Sequence, residues 1–280
     1  MPKPNLLLCF DAFGTLFKPK RPISRQYSEV ARQCGISGFS EDELESAFGA
    51  AIKDEARRHP NYGKATGLGA TAWWTNIIHK TFTPLIKNNG VLPKDLAPKL
   101  LHRFSSNEGY DAEPNLASAL RALKYQNSRR HFDKIVIGVV TNSDDRVPSI
   151  LSSLEQDYDI DFHCMSYDVG VEKPDRVIFD AAQLMLTRVI AIRDGKSLTE
   201  AKSDMETWQK VYVGDEYAKD VVGALNAGWN PVLLDSDGYS TDTVRVEDHP
   251  IQTLEDTFKE HEVLRVHSIQ NLATWLTGGK

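Results

Sequence analysis

What this sequence lacks narrows its function first. It holds only three cysteines, Cys9, Cys34 and Cys164, an odd total with no CxxC pair. That usage argues against a disulfide framework and predicts reduced, mostly buried thiols in an intracellular protein. No apolar run approaches the roughly 18 residues that a membrane-spanning helix needs, and no Asn-x-Ser/Thr acceptor occurs. A basic excess is missing too, since 33 Lys and Arg face 39 Asp and Glu for a net charge of -6. This balance speaks against coating nucleic acid or lying on an anionic membrane. It leaves room for one local positive cluster that holds a small anion.

What remains is an ordinary globular composition, 280 residues that are 41% hydrophobic and 26% charged, long enough for about two domains at roughly 150 residues each. Leu6 to Phe10 is a short, continuous apolar run ended by Asp11. Such a run predicts a strand buried on both faces, as parallel strands are. Ile135 to Val140, Phe162 to Met165, Val211 to Val213 and Pro231 to Leu234 have the same character. Between them, apolar residues recur at three- and four-residue spacing: Leu116, Leu120 and Leu123; Ile150, Leu151 and Leu154; Val177 through Met185; and Val221, Val222 and Leu225. Strand alternating with helix predicts crossover units and an α/β fold with a doubly wound parallel sheet.

One stretch breaks the alternation. From about Lys18 to Tyr110 the pattern is helical, with four amphipathic segments around Tyr27–Cys34, Leu44–Ile52, Trp73–Ile78 and Leu96–Phe104. Ser40, three residues before Glu43, predicts an N-cap for the second. Arg57 to Gly63 reads as a loop, and the polar stretches 192–208 and 236–262 read as surface excursions. The expected domains are therefore a sheet domain over 1–18 and 111–280 and a helical insertion over 19–110.

In an open parallel sheet, ligands bind outside the carboxyl ends of the strands. The residues at the ends of the apolar runs are Asp11 in Asp-Ala-Phe-Gly-Thr, Thr141 in Thr-Asn-Ser-Asp, Lys173 in Gly-Val-Glu-Lys-Pro, and Asp215 and Asp220 in Gly-Asp-Glu-Tyr-Ala-Lys-Asp. Singly each is ordinary, a turn Asp or an N-cap; jointly, in this order, they suit a phosphate ester. Asp11 is a candidate nucleophile. Lys173 offers a positive charge, and Mg²⁺ held by Asp11 and Asp215, with Asp220 and the Phe13 carbonyl nearby, offers more. Thr141, Asn142 and the amides after them are candidates for phosphate oxygens. Gly14 permits a tight turn, Thr15 is placed to hydrogen-bond the nucleophile or its loop, and both join Asn142 and Lys173 as expected substrate contacts.

This order of motifs resembles the haloacid dehalogenase-like hydrolase superfamily, over nearly the whole chain. The resemblance implies a Rossmann-like core with an inserted helical cap, Mg²⁺ as cofactor and a small phosphorylated metabolite as partner. Tyr27 to Gly35, His59-Pro60-Asn61-Tyr62 and Trp73-Trp74 look like the branch that contains haloacid dehalogenase-like hydrolase domain-containing protein 3. The superfamily's phosphatases carry a second Asp, an acid and base, where this chain has Phe13. Its dehalogenases carry an aromatic there, but uncharged residues where Asp215 stands. A phosphomonoesterase of restricted activity is therefore expected, with a 2-haloacid dehalogenase-like hydrolase and a non-catalytic phosphate-binding or regulatory protein as alternatives. His59, His79, Lys64 and Asp144 are candidates to replace the missing acid. Trp73 and Trp74 read mainly as packing, Arg57-Arg58 and Arg129-Arg130-His131 as solvated tracts, and Asp235 and Asp237 as turn or site-edge residues. With ten residues before Asp11, a cytoplasmic protein without a cleavable leader is expected.

Overall fold

In the computed structural model, the structure describes residues 3–86, 90–125, 131–236, 238, 243–246 and 254–278. The chain opens with β1 (Leu6–Phe10) and β2 (Phe17–Pro19). Helices α1 (Ile23–Gln33), α2 (Glu41–Arg58), α3 (Ala70–Phe82) and α4 (Leu96–Arg103) come after them. Next stand β3 (Tyr110–Ala112), α5 (Leu116–Tyr125), β4 (Ile135–Thr141) and α6 (Val147–Ser153). After β5 (Phe162–Met165) lie α7 (Ser166–Val169), α8 (Arg176–Asp194), α9 (Leu198–Glu206) and β6 (Gln209–Gly214). A π-helical turn over Tyr217–Val221 runs into α10 (Val222–Asn226). The chain then forms β7 (Asn230–Leu234), β8 (Val244–Arg245), α11 (Leu254–Glu260), β9 (Leu264–Val266) and α12 (Ile269–Thr277).

Seven strands form one parallel sheet in the order β5-β4-β1-β6-β7-β9-β8. From β1 the chain moves outward through β4 to β5, then returns to the other side of β1 at β6. That reversal opens a crevice at the carboxyl ends of β1, β4 and β6, where doubly wound folds bind ligands. Leu6 through Phe10 are all fully buried, which is why the strand reads as a continuous apolar run. Each such side chain contributes about 1.5–3 kcal/mol on burial. The site loops therefore hang on a rigid strand.

The chain divides into two compact units. The first comprises Met1–Lys18, Ala112–Asn142 and Glu155–Lys280, and the second Pro19–Asp111 and Ser143–Leu154. The expected boundaries thus need one correction, because residues 143–154 group with the helices. Within that unit Trp74 Nε1 donates to Asp144 Oδ2 at 2.6 Å, and the Arg146 guanidinium lies 4.3 Å from the centre of the Trp74 ring. Ser40 caps α2 in a full capping box with Glu43. Trp73 packs with Ala51 and Ile77 and gives its indole N–H to the carbonyl of His59, so it is a core residue.

Other local readings change as well. Arg57 and Arg58 are not loop residues; they form the last turn of α2 and pair with Asp54 one turn back. The stretch 192–208 is no mere excursion, since α9 fills most of it behind a Ser197–Glu200 capping box. Within 236–262 lie β8 and α11. Arg129, Arg130 and Asp237 fall outside the described residues.

Candidate active site

Asp11 leaves the carboxyl end of β1, its N–H bonded to the carbonyl of Val213 in β6. The chain then turns sharply, with Gly14 N–H bonded to the Phe17 carbonyl and Leu16 N–H to the Ala12 carbonyl. Gly14 sits at φ +81°, and a Cβ there would fall inside the Asp215 carboxylate. Only glycine satisfies both conditions. A Cβ on Gly214 would likewise collide with Asp220, so two glycines let backbone and carboxylates close up.

Asp11, Asp215 and Asp220 each offer a carboxylate oxygen within 4.8 Å of the others. Lys173 stands among them, its Nζ 2.9 Å from Asp11 Oδ1 and 2.7 Å from Asp220 Oδ1. Burial opposes the charge on Lys173, but Asp11 and Asp220 outweigh it and raise its pKa. Among the described residues Asp215 has no such cation, and although its side chain is partly open to solvent its carboxyl faces the buried Asp11 and Asp220. Burial, then the charges of Asp11 and Asp220, push its carboxyl up to about 6, although Thr15 Oγ1 donates to Oδ1 at 3.1 Å. The Glu216 N–H donates to Asp220 Oδ2 at 2.9 Å. Three carboxylates against one ammonium leave a surplus of negative charge, and hard oxygen donors at this spacing fit a divalent cation such as Mg²⁺.

Two expected substrate contacts point elsewhere. Asn142 Nδ2 donates to the Lys173 carbonyl at 3.0 Å, and Lys173 N–H donates to Asn142 Oδ1 at 2.7 Å. The carboxamide thus clamps the lysine's backbone, while Thr15 serves Asp215 rather than Asp11. Thr141 is buried at the end of β4, one residue beyond Val140. Phe13 turns an apolar ring onto Phe17, the centroids 4.8 Å apart. Asp144 is fully buried and held by Trp74 and Arg146, which makes it structural rather than a poised acid. His59 Nδ1 lies 2.9 Å from Thr66 Oγ1; His79 and Lys64 are exposed on the helical unit. Asp235 accepts from Arg265 at 3.3 Å and bridges β7 to β9.

One residue escaped the sequence reading. Tyr212, buried in β6, accepts from Lys173 Nζ at 2.7 Å and donates to the Val140 carbonyl at 2.6 Å. Inside Lys210 to Val213 it looks like a strand-core aromatic; a tyrosine three residues before the motif's Asp was the available signal, because a buried phenol needs a partner.

A cavity of about 350 Å³ lies at the opposite edge of the sheet, bordered by Lys124, Lys134, Arg193, Asp194 and Trp208. Its charges are matched: Asp161 binds both Lys124 and Arg193, and Lys134 pairs with Asp194 at 2.6 Å. The unmatched carboxylates set the carboxyl edge apart from it.

A family described as hydrolase, haloacid dehalogenase-like hydrolase, matches residues 6–228. An uncharacterized hydrolase of Schizosaccharomyces pombe is 33% identical over 230 residues, 82% of this chain and 90% of its own. Haloacid dehalogenase-like hydrolase domain-containing protein 3 of Danio rerio is 28% identical, over 88% of this chain and 92% of its own. Among solved structures, a 2-haloacid dehalogenase from Pseudomonas syringae pv. Tomato DC3000 superposes with a TM-score of 0.57 at 18% identity, over 99% of this chain and 98% of its own. A HAD phosphatase from Thermococcus onnurineus gives 0.53 at 18% identity, over 98% and 99%. At such identities these two report the shared fold alone.

Proposed function

This chain belongs to the haloacid dehalogenase-like hydrolases, and within them we propose a Mg²⁺-dependent phosphomonoester hydrolase that works through an aspartyl-phosphate on Asp11. The observation that carries this reading is the charge surplus of Asp11, Asp215 and Asp220 around the single ammonium of Lys173. A haloacid brings its own carboxylate and would be repelled by that surplus. A phosphate ester accompanied by a divalent cation would not. Asp11, Asp215 and Asp220 would hold the ion, with the Phe13 carbonyl as a further ligand; bound there, Mg²⁺ neutralises phosphate charge and polarises its oxygens.

The residues of the chain do the rest. A carboxylate oxygen of Asp11 forms a bond to phosphorus while the ester P–O bond breaks, its electron pair leaving on the departing oxygen. Water then cleaves the acyl phosphate, releasing orthophosphate and restoring the Asp11 carboxylate. Lys173 holds that carboxylate in line, and Thr141 lies ready for phosphate oxygens. Phe13 has no proton to give the departing oxygen, and lack of a positioned acid costs about 10²–10⁴-fold in rate. Preferred substrates are accordingly small metabolites whose leaving group is a weak base. A reduced compartment, the cytoplasm, suits the free thiols of Cys9, Cys34 and Cys164.

The test is hydrolysis of an activated aryl phosphate. Turnover should need Mg²⁺, stop on chelation, and fall by about 10⁴-fold or more in Asp11→Asn. Metal-independent halide release from a 2-haloacid would instead establish the dehalogenase. Phosphate binding without turnover across a panel of esters would establish the non-catalytic alternative.

A further inference from the structure

We infer that Tyr212 is a positioning residue that keeps Lys173 from closing over the carboxylates meant for the metal, an inference that rests on the Mg²⁺ reading above. An ammonium has three hydrogens to give. Lys173 Nζ donates to the Tyr212 hydroxyl at 2.7 Å and to Asp220 Oδ1 at 2.7 Å, and its third neighbour is Asp11 Oδ1, an ion pair at 2.9 Å. Two of the three are oxygens of the proposed metal site. The hydroxyl is neutral and immobile.

The immobility is built from several sides. The Tyr212 hydroxyl gives its own proton to the Val140 carbonyl at 2.6 Å, so its lone pairs face Lys173. Its ring is fully enclosed, edge-on to Phe179 at 5.1 Å, and Phe179 is edge-on to Trp229 at 5.4 Å. At the other end, Asn142 fixes the lysine backbone through both its N–H and its carbonyl. With stem and head both anchored, the ammonium is shared three ways. Without the hydroxyl, the head has only carboxylate oxygens to satisfy it, and a divalent cation must compete for the same atoms.

Tyr212→Phe removes one oxygen and keeps the ring. Isothermal titration of the full chain with MgCl₂, free of any substrate, should show binding weakened on the order of tenfold, the scale of losing an outer-shell partner of a metal site. For the aryl phosphate, kcat should fall at fixed Mg²⁺ while KM changes less than about twofold. Phe179→Leu is the control, because it loosens the same cluster but keeps the hydroxyl. It should lower Tm and leave Mg²⁺ affinity within about twofold of wild type. Unchanged Mg²⁺ affinity in Tyr212→Phe, or an equal loss in Phe179→Leu, would overturn the inference. Wild-type protein that binds no Mg²⁺ would overturn the metal reading itself, and this one with it. Should Tyr212→Phe not fold, fluorotyrosine at position 212, a weaker acceptor of the same shape, must weaken Mg²⁺ binding in the same direction, and unchanged binding there would equally refute it.

Discussion

The carboxyl edge of the sheet gathers Asp11, Asp215 and Asp220 around Lys173, whereas the amino edge sets Asp161 between Lys124 and Arg193 and pairs Lys134 with Asp194. Both edges bury charge, and both involve the same strand, β4. At the amino edge Asp161 also takes the Ile137 N–H at 2.8 Å, so each of its oxygens is occupied and the group works as a fastening. At the carboxyl edge acids outnumber cations and one carboxyl is pushed up to about 6. Buried charge that is balanced holds a fold together. Buried charge that is unbalanced waits for something to bind.

Three experiments break or sharpen that contrast. Asp161→Ala strands Lys124, only 10% exposed in its side chain, and should cost about 3–5 kcal/mol, the usual penalty for orphaning a buried charge. Urea unfolding measures it, and Mg²⁺ affinity of the remaining folded protein should not change. Asp215→Asn should do the reverse. Mg²⁺ binding and turnover fall on the order of 10²-fold, while Tm of the metal-free protein rises because a repelled charge has gone. A fall in metal-free Tm would show that Asp215 is a fastening after all.

The smallest effect is a pH dependence. Asp215 carries its proton up to about pH 6 in the native state, against an ordinary carboxyl value of 3.8 when unfolded. Between these values the native state binds more protons, so metal-free stability falls as pH rises from about 4 to 6 and is level above. Mg²⁺ must displace that proton, so its affinity should weaken about tenfold for each pH unit below 6. Thermal melts with and without Mg²⁺ across about pH 4.5–8 check both slopes. A Mg²⁺-induced Tm shift independent of pH below 6 would contradict the assignment.

The contrast between the edges also explains what could be read from the sequence. β1 and β4 announced themselves because strands buried on both faces are apolar throughout, and Asp11 and Thr141 stood out as the polar residues closing those runs, as Asp215 did beyond β6. β2, β3, β8 and β9 are two or three residues long, too short for any period to register. α9 hid behind a polar composition even though Ser197 and Glu200 spelled a capping box. Asn142 and Lys173, or Tyr212 and Val140, are 31 and 72 residues apart. Nothing local in a sequence says that such residues meet, so the polar partners of the site were legible as types and not as pairs.

The grouping of residues 143–154 with the helical unit bears on modularity. A helical insertion bounded only near residues 18 and 112 would be a cassette, removable between two cut points and exchangeable between relatives. Here the helical unit is woven from two segments, and the second begins directly after Thr141 and Asn142. A chimera that transplants 19–111 alone would leave Trp74 without its Asp144 and Arg146 partners. Diversification of this unit must therefore proceed by paired changes in both segments, and an engineer who wishes to graft it must carry both.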